Sequence, residues 1–293
     1  MAYKFCVPQP HPQPINAATR LCAVLGSPIR HSASPAMHNA AFAALGLNWR
    51  YLAFEVAPGN LQAALAGARA MNFAGLNLTV PHKLLALEMM DELDASAEKW
   101  GAVNTVKFEN DRAIGFNTDA DAIVTALRED LNLELRGAKV LLLGAGGAGR
   151  TAALKLAAAG VAALFLVNRT SSKAEALARE IKKKSPAVTV TVGFPPSPVD
   201  LILNATSLGL KSQDPLPLDL KKFPLKRAGA VYDMIYRPAE TKLLRAARKA
   251  GCQTANGLGM LLHQGARAFE IWTGRRAPRA VMRRALEQEI YGH

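Results

Sequence analysis

The apolar run Val140-Leu-Leu-Leu143 passes straight into Gly144-Ala-Gly-Gly-Ala-Gly149, and Thr151–Ala159 then continues at helical spacing to a stop at Gly160. A segment with nothing polar on either face reads as a buried strand of a parallel sheet. Strand, glycine turn and helix in that order is the setting in which Gly-x-Gly-x-x-Gly carries information. The first glycine permits a tight turn, the second lets a pyrophosphate approach the backbone, and the third lets helix and strand pack closely. Free amides and the positive end of the helix dipole then face the phosphates. A turn that only joins two packed elements is the plainer reading, but with strand and helix both in place dinucleotide binding is preferred. Gly144, Ala145, Gly146, Gly147, Ala148 and Gly149 would line that cofactor.

The next strand, Ala163-Leu-Phe-Leu-Val167, gives way to Asn168-Arg-Thr-Ser-Ser-Lys173. An Asp or Glu about 20 residues past the glycines marks a site that binds the ribose 2′-hydroxyl of NAD. Here Asn168 and Arg169 occupy that place, with Thr170 and then Lys173 following. A carboxylate would repel a 2′-phosphate and an arginine would clamp it. The reading is NADP rather than NAD.

A chain of 293 residues, half of them hydrophobic and a fifth charged, has room for two modest globular domains. No apolar run approaches the ~20 residues of a membrane span. The first 19 residues carry four prolines and no apolar core, so neither a signal peptide nor a helix is expected there. We expect a loosely ordered leader over 1–19. Cys6, Cys22 and Cys252 share no metal-binding spacing and read as free thiols of a cytoplasmic protein. The net charge of +13 raises the question of nucleic acid, yet the basic residues are scattered and no aromatic platform is interleaved with them. Solvated helix faces account for most of them, and the positive field would attract small anions.

Ahead of the glycine turn, Leu21-Cys-Ala-Val-Leu-Gly26 reads as a strand and Ala36–Leu45 as a helix, with Ser34 as N-cap and Pro35 at the first helical position. Capping explains Ser34 but leaves His31 and Ser32 unexplained. Paired hydroxyls on such a turn suit a polyol or a carboxylate equally well as a structural role, and the residues leave both open. Tyr51–Val56 is a second strand and Leu61–Met71 a helix. Gly75-Leu-Asn-Leu-Thr-Val80 alternates, which puts Asn77 and Thr79 on one face with Lys83 beyond its end. Ligands of open α/β sheets gather at strand carboxyl ends, and a lone lysine in the first turn of a helix opposes the dipole. That inconsistency favours function. Asn104 and Thr118 or Asp119 could as well be turn and cap residues. After the dinucleotide unit, Leu201–Asn204 and Ala230–Asp233 extend the parallel sheet. The helices after Asn256 have no strand to cross to, so they are expected to pack back on the N-terminal half.

Taken in order, His31-Ser-Ala-Ser-Pro35 with Met37-His-Asn39, Asn77-Leu-Thr-Val-Pro81 with Lys83, Gly101-Ala-Val-Asn-Thr105, Asn117-Thr-Asp119, the glycine turn, Asn168-Arg-Thr170, Asn204-Ala-Thr-Ser207, Tyr232-Asp-Met234 with Tyr236, and Gly257 through Gln264 resemble the shikimate dehydrogenases, over about Arg20 to Gly274. The resemblance implies two three-layer α/β domains with a cleft between them. A substrate domain would span 20–120, completed by helices at 259–293, and a Rossmann-type NADP domain 121–258. It implies reversible NADPH-dependent reduction of 3-dehydroshikimate to shikimate, in the route to chorismate and the aromatic amino acids. Ser32 and Ser34 would hold the substrate carboxylate with Tyr236; Asn77, Thr79, Asn104 and Gln264 would surround the ring hydroxyls. Lys83 and Asp119 would form the catalytic pair, and Thr206, Ser207, Met234, Gly257 and Met260 would complete the cofactor site.

The chemistry suits that pair. Hydride arriving at a carbonyl carbon leaves charge on oxygen, which an ammonium can stabilise and protonate while a carboxylate fixes the lysine. In the oxidation direction a neutral lysine would take the proton, so activity should rise toward alkaline pH. Two departures from the family pattern stand out: Ala120 where glycine is usual, and Lys173 where a second phosphate-binding arginine is common. The rivals are a quinate/shikimate dehydrogenase of broader substrate use and a non-catalytic NADP-binding module; retained Lys83 and Asp119 disfavour the second. The partners expected are a small-molecule substrate and, at most, a second copy of the chain, with neither nucleic acid nor membrane.

Overall fold

The structure, a computed structural model, describes residues 13–292. Much of the expected leader, with Cys6, lies outside the described residues; 13–19 form irregular chain with one turn.

Two six-stranded sheets follow one another along the chain. The first contains β1 (Arg20–Gly26), β2 (Trp49–Glu55), β3 (Gly75–Leu78), β4 (Glu92–Leu93), β5 (Thr105–Glu109) and β6 (Arg112–Phe116). Their spatial order is β2-β1-β3-β5-β6-β4. Along β1, Cys22 and Val24 enter one hydrophobic core while Ala23 and Leu25 enter another, so both faces of this sheet are covered. Helix α1 (Ser34–Ala44) lies on the first face and α2 (Leu61–Ala70) on the second. The sheet is mixed: β5 runs antiparallel to both β3 and β6. Asn110 and Asp111, at φ 51° and 58°, make the two-residue hairpin between β5 and β6. Both positions of such a turn need a left-handed backbone, which Asn and Asp tolerate better than most residues. Between β3 and β5 the chain forms the short helices α3 (His82–Leu85) and α4 (Ala95–Trp100).

Helix α5 (Asp119–Leu131) leads into the second sheet: β7 (Lys139–Leu143), β8 (Ala163–Val167), β9 (Thr189–Val192), β10 (Val199–Asn204), β11 (Ala228–Asp233) and β12 (Gln253–Asn256), all parallel, in the order β12-β11-β10-β7-β8-β9. The order reverses between β7 and β10, which is the topological switch point of a doubly wound fold. Val140 and Leu142 of β7 face one core and Leu141 and Leu143 the other. Helices α6 (Gly147–Ala158), α7 (Ser171–Lys184) and α8 (Lys242–Lys249) cover the two faces.

The chain ends with α9 (Leu258–Thr273) and α10 (Arg279–Tyr291). Leu262, Phe269, Trp272, Met282 and Leu286 join Met37, Phe42 and Tyr51 in the core of the first sheet. Trp272 donates its indole N–H to the Val106 carbonyl at 2.9 Å. Gly75 makes this approach possible, because a Cβ there would stand 2.1 Å from that nitrogen. The architecture is thus the two-domain, three-layer α/β class with a cleft. Among the described residues no helix is long and apolar enough to cross a membrane.

Candidate active site

The site is built first by the loop after β1. Ser34 does not cap α1: it is already the first helical residue, and the N-cap position is Ala33, which offers no side-chain cap. An N-cap needs an extended backbone outside the helix, and Ser34 lacks it. The local capping bond comes instead from Ser32, whose Oγ accepts the Ser34 amide at 3.3 Å. The buried Ser34 hydroxyl is thereby free of a capping duty.

The strand β3 stops at Leu78, so Thr79 lies just past its end. Asn77 is buried, and both protons of its amide are engaged. Its Oδ1 accepts the Tyr51 hydroxyl at 2.7 Å, and its Nδ2 donates to the Asn104 carbonyl at 3.1 Å and to Thr105 Oγ1 at 3.0 Å. Asn104 Oδ1 accepts from the Thr118 amide at 2.7 Å and from the Thr105 hydroxyl at 3.2 Å, while its Nδ2 donates to Thr118 Oγ1 at 2.9 Å. Thr118 stands at the N-cap of α5 without capping it; Asn117 Oδ1 takes the Ala120 amide at 3.1 Å in its place. Asp119 is therefore free of cap duty. Its Oδ2 lies 2.6 Å from Lys83 Nζ, with the carboxylate 8% and the ammonium 20% exposed. The first turn of α5 favours the carboxylate electrostatically, and that charge compensates the Lys83 ammonium on the single-turn helix α3.

One cavity of about 220 Å³ gathers Ser32, Ser34, Asn77, Thr79, Lys83, Asn104, Asp119, Tyr236 and Gln264. Ala148, Met234 and Gly257 line it from the second domain's side, and Met260 lines it from the first turn of α9. Gln264 donates its amide to the Leu261 carbonyl of its own helix at 2.9 Å, which leaves its carbonyl oxygen for a ligand. Tyr236 is half-buried, and burial raises its phenol above the usual value. Sequence reasoning missed the apolar wall of Val24, Ile29, Leu78 and Leu261. It missed Tyr51 and Thr105 behind the wall as well. Tyr51 was legible only as a strand residue; Thr105, beside Asn104, offered an adjacency that could have been followed.

The glycine turn fits a dinucleotide. Gly144 has φ +102°, and Gly149 packs so closely that a Cβ would stand 2.2 Å from the Gly144 carbonyl oxygen. At Gly146, the N-cap of α6, and at Gly147 a Cβ would meet nothing within 4 Å. Open space over free helix-terminal amides is what a pyrophosphate requires. Asn168 Oδ1 accepts the Ala145 amide at 3.0 Å and ties the β8 exit to the turn. Arg169, Thr170 and Lys173 are exposed beyond it, and neither cation has an ion-pair partner among the described residues. The Thr206 hydroxyl is donated to Asn204 Oδ1 at 2.8 Å, whereas Ser207 is exposed.

Ala148 of the glycine turn and Lys83 of the first domain border the same cavity. The turn that fits a dinucleotide and the Lys83 side chain thus open onto one space, the arrangement of an NADP-dependent oxidoreductase acting on a CH–OH group. Comparison with known proteins gives the family. Sequence profiles described as the shikimate dehydrogenase substrate binding domain, shikimate / quinate 5-dehydrogenase and the shikimate 5′-dehydrogenase C-terminal domain match residues 24–106, 126–193 and 257–287. The shikimate dehydrogenase (NADP(+)) of Methanopyrus kandleri is 42% identical over 283 residues, covering 94% of this chain and 98% of its own. A crystal structure of a shikimate dehydrogenase in complex with NADP+ superposes with a TM-score of 0.85 at 40% identity, covering 94% of this chain and 97% of the other. The Thermus thermophilus shikimate 5-dehydrogenase in complex with NADP(H) and shikimate gives 0.82 at 38% identity, covering 92% and 99%. The chain belongs to the shikimate dehydrogenase family.

Proposed function

We propose that this protein reduces 3-dehydroshikimate reversibly to shikimate with NADPH, in the cytoplasm, as a monomer or homodimer. The observation that carries this reading is the 2.6 Å Lys83–Asp119 pair on a cavity shared with the glycine turn. NADPH, when bound, supplies a hydride to the ring carbonyl carbon. Lys83 holds a proton at Nζ beside the carbonyl oxygen and gives it up as that oxygen gains charge; shikimate oxidation reverses the transfer. Asp119 keeps the ammonium in place and offers Oδ1 to a neighbouring hydroxyl. In this reading the substrate domain runs over 20–120 with 259–293, the NADP domain runs over 121–258, and Arg169 with Lys173 grips the 2′-phosphate.

The hydrogen-bond inventory supports a ring bearing adjacent hydroxyls. Both protons of Asn77 Nδ2 are spent inside the protein, so toward a ligand Asn77 can only accept. Asn104 Oδ1 already takes three donors and Nδ2 has one proton to spare, so Asn104 can only donate. Hydroxyls, which do both, satisfy this pair; a ketone or an ether at both places would not. Ser32, Ser34 and Tyr236 line the same cavity as hydroxyls suited to a carboxylate. The test follows reduced-cofactor absorbance with shikimate or quinate, each against NADP and NAD. Turnover of shikimate with NADP alone is expected. No turnover with any pair would make the chain a binding module, and strong quinate turnover would make it a quinate/shikimate dehydrogenase.

A further inference from the structure

Tyr51 is wholly buried, does not line the cavity, and carries the hydroxyl that donates to Asn77 Oδ1 from behind. Its ring is stacked on His38 with centroids 4.3 Å apart, and both sit in the aromatic core formed with Phe42 and Trp272. The direction of the bond is forced. The Asn104 backbone carbonyl accepts only, so the Asn77 Nδ2 must face it, which turns Asn77 Oδ1 toward Tyr51. Tyr51 must then donate. Asn77 in turn donates to Thr105 and Thr105 to Asn104, whose own amide is oriented by the Thr118 backbone N–H donated to its Oδ1 at 2.7 Å. Ser34 also lies near the Tyr51 hydroxyl.

We propose that Tyr51 is a positioning residue that holds the Asn77 amide in place as an acceptor for the substrate ring. Its single proton, donated to Asn77 Oδ1, holds in place the amide whose orientation the Asn104 carbonyl sets, so that toward the cavity Asn77 can only accept. The residue touches neither substrate nor cofactor; it acts through Asn77. This inference rests on the functional reading above.

The experiment is Tyr51→Phe, alone and combined with Asn77→Ala, assayed with shikimate and with an analogue lacking a ring hydroxyl. Removing the hydroxyl leaves Asn77 Oδ1 unfixed, so KM for shikimate should rise by about tenfold with a smaller loss in kcat and no change in KM for NADP. The selectivity for shikimate over the deoxy analogue should fall by a similar factor. In the Asn77→Ala background the same change should add nothing further. If Tyr51→Phe does not fold, Thr105→Val removes the acceptor on the other side of the same amide and should reproduce the loss of selectivity. Equal losses for both substrates and the cofactor, or additivity with Asn77→Ala, would overturn the proposal and leave Tyr51 a core residue. Failure of the wild-type enzyme to turn over shikimate would instead overturn the functional reading.

Discussion

At the scale of single residues, the site depends on which groups are relieved of structural work. Ser34 and Asp119 both stand where a helix start would ordinarily employ them, and in both cases a neighbour, Ser32 or Asn117, makes the local bond. Burial sets other groups. Among the described residues His38 has no hydrogen-bond partner on either ring nitrogen, and its imidazole is pushed down to about 3 by loss of solvent. Between that value and the ordinary 6.5, the unfolded chain binds the proton and the folded chain does not. Stability attributable to neutral His38 is therefore complete above pH 6.5 and falls as pH drops toward 3, by about 1.4 kcal/mol per unit. Denaturant unfolding of His38→Phe between about pH 4 and 7 should show an acid-side slope shallower by that amount; an unchanged slope would assign the acid sensitivity elsewhere.

At the scale of elements, the two glycines that bracket the turn have different jobs. Gly149 is fixed by packing against the Gly144 carbonyl, while Gly146 faces open space with an ordinary φ of −78°. Gly149→Ala should lower stability by about 1–3 kcal/mol through overpacking, whereas Gly146→Ala should fold normally and lose NADPH affinity. Thermal unfolding and cofactor titration of the two variants separate these effects. Legibility in the sequence follows the same division. The β7–α6 unit announces itself because its glycines, apolar strand and helix are contiguous. The β5–β6 hairpin did not, since Asn110-Asp111 is a weak turn signal without glycine, and two-residue β4 is too short to show a pattern. Site residues carried by strand ends were legible; the apolar wall and Tyr51 were not, because a core residue and a site-supporting residue look alike until the fold brings them together.

At the scale of the whole molecule, the end of the chain completes its beginning. Trp272 fills the space above Gly75 and bonds Val106, so the first domain is assembled from segments far apart in sequence. Trp272→Ala should destabilise by about 3–5 kcal/mol, read by chemical denaturation. A cost below about 1 kcal/mol would mean that the C-terminal helices are dispensable to that core. The ion pair at the site joins distant segments too, since Lys83 belongs to the first domain and Asp119 opens the helix that leads into the second. The central claim is that this pair manages the proton while the glycine turn holds the cofactor. Its most direct test is Lys83→Ala, measured for shikimate turnover and for NADPH affinity in the same preparation. Turnover should fall by about 10²–10⁴-fold with NADPH affinity unchanged; near-wild-type turnover would contradict the assignment.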